Sequence, residues 1–170
     1  MFNFKTIFPS IADNNYQGSK VALYFFILLT AVMTWRSIIH MFFVDYGLHD
    51  IANFIHFDGN PDPSKLIHFF FSIWGFAELI FCIVCWTVII KYRSLIPALY
   101  TLWFTEWSVR TFYYSQVMGI ADMSAYKTGV TPGAVGAPYL FVVLLVVLLV
   151  VVLAARVFSN SSTRRSGFII

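Results

Sequence analysis

Charge is the scarcest property of this sequence. Only 11% of its 170 residues are Asp, Glu, Lys or Arg, against roughly 25% in soluble domains. Hydrophobic residues make up 59%, and the mean hydropathy is +0.78. These values exclude an ordinary soluble domain and fit a membrane protein. The two cysteines cannot build a disulfide framework, so the redox compartment is not readable from them. The net charge of +3 comes without a clustered basic stripe, which argues against a nucleic-acid partner. The glycines at 129–136 lack the lysine and strand context of a phosphate loop. No Ser/His/Asp set and no internal repeat is evident. Residues 1–20 carry Asp13, Asn14, Asn15 and Gln17, and the apolar run that follows is longer than a signal-peptide core of roughly 7–15 residues. The first apolar segment is therefore expected to remain as a helix.

What the chain has instead is long apolar runs and aromatics, the latter reaching 19%, as suits interfacial belts and packed helix faces. A span needs about 20 mostly apolar residues. Four segments qualify, at about 21–43, 66–90, 95–118 and 139–157, followed by a tail over 158–170. The expected fold is all-α: a single integral membrane four-helix bundle. Asp62-Pro63-Ser64 supplies start signals for the second span, Lys91-Tyr92-Arg93-Ser94 is too short to join anything but antiparallel neighbours, and Gly119 closes the third span. Gly129, Pro132, Gly133, Gly136 and Pro138 predict an irregular third connection. In the first connection, Val44, Leu48, Ile51 and Ile55 recur at helical spacing opposite Asp45, His49, Asn53 and His56. That pattern predicts a short amphipathic helix over 44–57, lying on the outer surface.

Basic residues orient the spans. With the N-terminus cytoplasmic, Lys5, Lys20, Lys91, Arg93, Arg156, Arg164 and Arg165 fall inside, and only Lys65 and Lys127 outside. Asp45, Asp50, Asp58, Asp62 and Asp122 then lie outside. Both termini are expected to be cytoplasmic. The terminal Phe168-Ile169-Ile170 is apolar enough to dock.

The only two glutamates, Glu78 and Glu106, both fall inside spans, as do Arg36 and Arg110. Ionisable groups at membrane depth face the bundle interior, are paired, and commonly mark function. At 1.5 Å per residue, Arg36 and Arg110 lie about 24 Å from the inner ends of their helices and Glu106 about 18 Å, with Glu78 about 18 Å from its outer end. Glu106 and Arg110 stand four apart and share a helix face. Glu78 is then left to pair with Arg36 across helices or to carry a proton. Three readings stay open: a polar knot that fixes helix packing, a proton, ion or ligand site, or contact with another subunit and snorkelling of Arg36 or Arg110 toward the outer side. Within the fourth span, Leu140–Ala155 carries no polar side chain and is expected to face lipid over most of its surface.

All four histidines lie between positions 40 and 68. His40 ends the first span and His68 opens the second, a placement that would let both ligate a b-type haem, with Arg36 meeting a propionate, set against the plainer reading of interfacial histidines bonded to water or backbone. His49, Asp50, His56 and Asp58 offer imidazole and carboxylate ligands suited to zinc, set against the plainer reading of a solvated helix face. Cys82 and Cys85 form C-x-x-C in mid-helix, where no helix N-terminus activates a thiol, and read as buried small hydrophobes. Trp35, Trp74, Trp103, Trp107, Tyr113 and Tyr114 either pack the helices or line a quinone or lipid pocket.

Trp74-Gly75-Phe76-Ala77-Glu78-Leu79-Ile80, set in the second of four short spans, resembles the G-x-x-E signature of the DoxX-like membrane proteins. Gly75 and Glu78 carry the match, and the long Asp/His-rich outer loop departs from that family's compact pattern. The resemblance implies a four-helix membrane protein, sometimes associated with quinone-linked redox complexes. Together these features predict a non-catalytic accessory subunit or small-ligand-binding protein in the bilayer. Its partners would be other membrane subunits or copies of itself. Redox-linked quinone or haem binding and small-molecule transport are the alternatives.

Overall fold

The computed structural model describes residues 7–117 and 123–166, with side chains over 7–114 and 123–151. The expected span end at Met118, Gly119, Asp122, Lys5 and the apolar Phe168-Ile169-Ile170 lie outside the described residues. So do the side chains of Arg156, Arg164 and Arg165. The described chain is all-helical, with no strand among the described residues. Three of its helices are long and apolar enough to cross a membrane: Lys20–Phe42, Ser64–Lys91, and Pro132–Val151 within a longer fourth helix.

Helix α1, Lys20–Phe42, starts where Ser19 Oγ accepts the Ala22 N–H at 3.1 Å, satisfying one of the free donors of the first turn. Helix α2, Ser64–Lys91, starts after Asp62, whose Oδ1 accepts the Ser64 N–H at 2.9 Å. That bond, and a weaker attraction from Lys65, hold the Asp62 carboxyl below the usual carboxylate range. α1 and α2 pack antiparallel along their lengths. Gly75 sets how closely they approach: a Cβ there would lie 2.7 Å from both the His40 Cβ and the Met41 nitrogen. Small residues permit this approach in packed helix pairs. Ser72 Oγ donates to the Met41 carbonyl at 3.1 Å beside the contact.

The turn after α2 is the short 3-10 segment Arg93–Leu95. Ser94 exchanges hydrogen bonds with the Asp13 backbone at 2.9 Å in each direction and so holds the N-terminal segment against this end. Helix α3, Ile96–Ser108, then runs straight into π-helical backbone over Val109–Val117. The uniform α-helical span expected over 95–118 thus widens halfway. The widened part is rich in β-branched and aromatic residues, from Val109 and Thr111 to Phe112, Tyr113 and Tyr114, which are weak α-helix formers. Tyr100, fully buried, donates to the Ala22 carbonyl at 2.6 Å and ties α3 to the start of α1.

Helix α4 runs Pro132–Ser166. It begins seven residues before the expected start at 139 and absorbs Gly133, Gly136 and Pro138 from the predicted irregular connection. Pro132 occupies the first helical position, where its missing N–H leaves nothing unpaired. The Ala134 and Val135 N–H groups meet the Thr131 carbonyl at 3.0 and 3.3 Å. The backbone also stays helical through the first part of the expected tail. α4 packs on α3, with Phe141 against Phe104 and Phe112 at centroid distances of 5.2 and 5.0 Å. Leu144 is fully buried, whereas Val142, Val146 and Leu149 are exposed.

The amphipathic helix expected over 44–57 is cut short. A π-helical turn, Tyr46–Ile51, buries Leu48, and the chain then reverses at Asn53, whose φ is 58°. Asparagine tolerates this left-handed conformation, which would interrupt any helix. Long-range bonds hold the reversal. Asn53 Nδ2 donates to the Val130 carbonyl at 2.9 Å, and Ile55 N to that of Tyr126 at 3.0 Å. Thr131 Oγ1 donates to the Ala52 carbonyl at 2.7 Å. The α1–α2 and α3–α4 connections are therefore laced together at one end of the helices.

Candidate functional site

The Gly75 contact places the buried charges. In the antiparallel pair Gly75 lies opposite His40, so Glu78, three residues along α2, falls opposite Arg36, four residues back along α1. Arg36 Nη2 donates to Glu78 Oε1, with the two side chains 20% and 5% exposed. The second pair lies within the third helical segment. Arg110 donates to Glu106 Oε1 through Nη2 and, at 2.8 Å, through Nε. Arg110 sits in the first turn of the π-helical stretch, where the backbone widens.

Two indoles join the pairs. The Arg36 guanidinium lies 5.2 Å from the Trp74 ring centroid and 5.6 Å from that of Trp107. Arg110 lies 4.7 and 5.5 Å from the same two rings. Each cation thus has a carboxylate and two ring faces, and cation–π attraction strengthens where water is excluded. His40 lies against this group, its ring 4.5 Å from those of Trp74 and Phe71. Not every polar atom is satisfied. Arg36 Nε, Glu78 Oε2, His40 Nδ1 and Trp107 Nε1 are all buried without a hydrogen-bond partner. The set contains three nitrogens and one carboxylate oxygen, so it can both donate to and accept from a polar group placed among them.

The structure brings Arg36, Glu78, Glu106 and Arg110 together and separates His40 from His68. The haem reading set these two histidines at similar depth on adjacent helices; here they stand apart along α2. His40 faces Gly75, seven residues and roughly 10 Å along α2 from His68, and aromatic rings pack against its imidazole. His68 instead lies edge-on to His49, at 5.8 Å. The aromatic pocket set also divides. Trp74 and Trp107 meet the arginines and Trp103 packs on Phe81 at 4.8 Å, while Trp35, Tyr113 and Tyr114 are exposed. Cys82 and Cys85 are free and fully buried in the apolar core.

A second polar group forms in the first connection. Asp45, His49 and His56 offer ligand atoms that all lie within 4.8 Å of one another. Asp50 and Asp58, expected beside these histidines, are outside this group and exposed. The helical turn points Asp50 away from His49, its sequence neighbour, and Asp45 takes the carboxylate position. The four-residue spacing of Asp45 and His49 was the sequence signal for it. Trp107 was legible in the same way, three residues before Arg110 and next to Glu106.

Comparison with protein-family models, characterised proteins and solved structures finds no match to the chain.

Proposed function

We propose that the chain is a four-span protein of a bacterial inner membrane that binds a small ligand at the Arg36–Glu78 and Glu106–Arg110 cluster, acting as a non-catalytic subunit. In this reading the continuous helical run from Ile96 to Val117 is the fourth span beside the three long apolar helices. Both termini are cytoplasmic. Lys20, Lys91 and Arg93 gather at one end of the α1–α2 pair, while Asp45, Asp50, Asp58 and Asp62 gather at the other. Gly75 and Glu78, the residues that resemble the DoxX-like signature, then have distinct tasks: one sets helix approach and the other holds the inter-helix charge.

The observation that carries the ligand reading is the set of unpartnered polar atoms at Arg36, Glu78, His40 and Trp107. A knot serving packing alone would be expected to close its own hydrogen bonds, since each orphaned buried group costs about 1–3 kcal/mol. A small polar or amphiphilic head group seated there would satisfy both the donors and the acceptor. Native mass spectrometry of the detergent-purified protein tests this, alongside thermal unfolding of Glu78→Gln. A bound small molecule that is lost from a still-folded Glu78→Gln variant is the expected result. A protein that carries nothing, and whose variant loses only stability, would reduce the cluster to a packing device. A quinone would identify itself by mass in the same experiment.

A further inference from the structure

We infer that Asp45, His49 and His56 form a binding site for a zinc-like divalent metal ion in the connection between α1 and α2. This site is separate from the buried arginine–glutamate cluster, and neither reading depends on the other.

The ligand set is two imidazoles and a carboxylate, which suits zinc and neighbouring late first-row metals. His49 Nε2 lies 3.8 Å from Asp45 Oδ1, and all three ligand atoms fit within 4.8 Å. Tetrahedral zinc, with bonds of about 2.0–2.1 Å, wants ligand atoms about 3.4 Å apart. The set therefore needs only a small contraction. Asp45 and His56 are both exposed, so a side-chain rotation can provide it.

The tautomer of His49 is also set. Its Nδ1 lies 3.0 Å from the Phe54 carbonyl oxygen, which can only accept, so Nδ1 carries the hydrogen. That leaves the Nε2 lone pair on the side of Asp45. Zinc-binding histidines commonly have this outer hydrogen bond, which fixes ring orientation. The His56 ring stacks on His49 at 3.9 Å. Its backbone position is fixed by the reversal at Asn53 and by the Ile55–Tyr126 and Asn53–Val130 bonds. The ligands therefore stand on a hydrogen-bonded frame rather than on a free loop, which lowers the ordering cost of binding.

A further observation comes from α2. His68 lies edge-on to His49, and its Nε2 is buried without a hydrogen-bond partner. Three protein ligands leave a fourth position on zinc for water or an external ligand. A metal-bound water reaching His68 would supply the missing partner, making His68 a positioning residue for the occupied site.

The test loads the full-length protein in detergent with zinc, removes excess, and measures bound metal by mass spectrometry and affinity by calorimetry. One equivalent of zinc should be retained. Asp45→Ala and His56→Ala change exposed side chains and should each weaken binding by about 100-fold or more, while His68→Ala should weaken it by about 10–100-fold. Asp50→Ala and Asp58→Ala serve as controls and should bind as the wild type does. Cobalt in place of zinc should give visible absorption of a tetrahedral nitrogen–oxygen site, lost in His56→Ala. Failure to retain stoichiometric zinc would overturn the inference, as would retention unchanged in both Asp45→Ala and His56→Ala. Either result would leave Asp45 and His49 as a plain surface ion pair.

Discussion

Two polar clusters lie within a few helical turns of each other, and they obey opposite rules. The inner one, around Arg36, Glu78, Glu106 and Arg110, matches every charge with an opposite charge and an indole face. The outer one, around Asp45, His49, His56 and His68, brings together groups that have little to offer one another. In an apolar interior an unmatched charge is expensive, so matching is a condition of folding. Nearer the surface Asp45 and His56 are exposed and water serves them, while His68 Nε2 stays buried without a partner, so groups are gathered without all being paired. Mutations that unmatch a charge inside should therefore register in stability as well as in ligand binding, and mutations outside in bound metal.

The comparison is most easily broken at Glu78. Glu78→Ala leaves the largely enclosed Arg36 without its carboxylate and should cost about 3 kcal/mol, the low end for breaking a buried pair, read as a lower thermal midpoint in detergent. Replacing the pair together, as Arg36→Met with Glu78→Leu, should recover most of that loss. A double variant no more stable than the single would show that the two groups are not matched to each other. Gly75→Val should come next, at about 1–3 kcal/mol, because the added atoms meet the α1 backbone rather than a movable side chain. Glu106→Gln should cost only about 1 kcal/mol, since its pair is more exposed and lies within one helical segment. In the outer cluster, His56→Ala without metal should stay within about 0.5 kcal/mol of wild type in chemical unfolding, and should lose any stabilisation by added zinc. Asp62 should have the smallest effect. Its folded carboxyl titrates below the usual carboxylate range, so its contribution is present above that range and fades as the medium is acidified through it. Asp62→Asn should flatten that part of the acid profile.

The parts legible in the sequence were those set by local chemistry. α1 and α2 fall within two residues of their expected ends because long apolar runs set their extent, and at the second the Asp62-Pro63-Ser64 start signal places the first turn. The involvement of Arg36, Glu78, Glu106 and Arg110 was legible because ionisable groups are so rare in the apolar runs. The parts that were not legible depend on distant segments. Which histidines meet was decided by the path of the chain after Ile51, and that path is held by residues more than seventy positions away, at Tyr126, Val130 and Thr131. The early start of α4 depends on the same lacing, since Thr131 precedes Pro132. The π-helical widening after Ser108 had only a weak local trace, in its run of β-branched and aromatic residues.

The Arg36–Glu78 contact also bears on how such a chain enters a bilayer. A lone charged residue in an inserting helix adds an unfavourable contribution, largest at the helix centre, where it reaches about 2.5–3.5 kcal/mol for Arg on insertion scales. Here the two charges sit on successive antiparallel helices, at positions that meet when the hairpin closes. The first two helices can thus partition as one unit with no net buried charge between them.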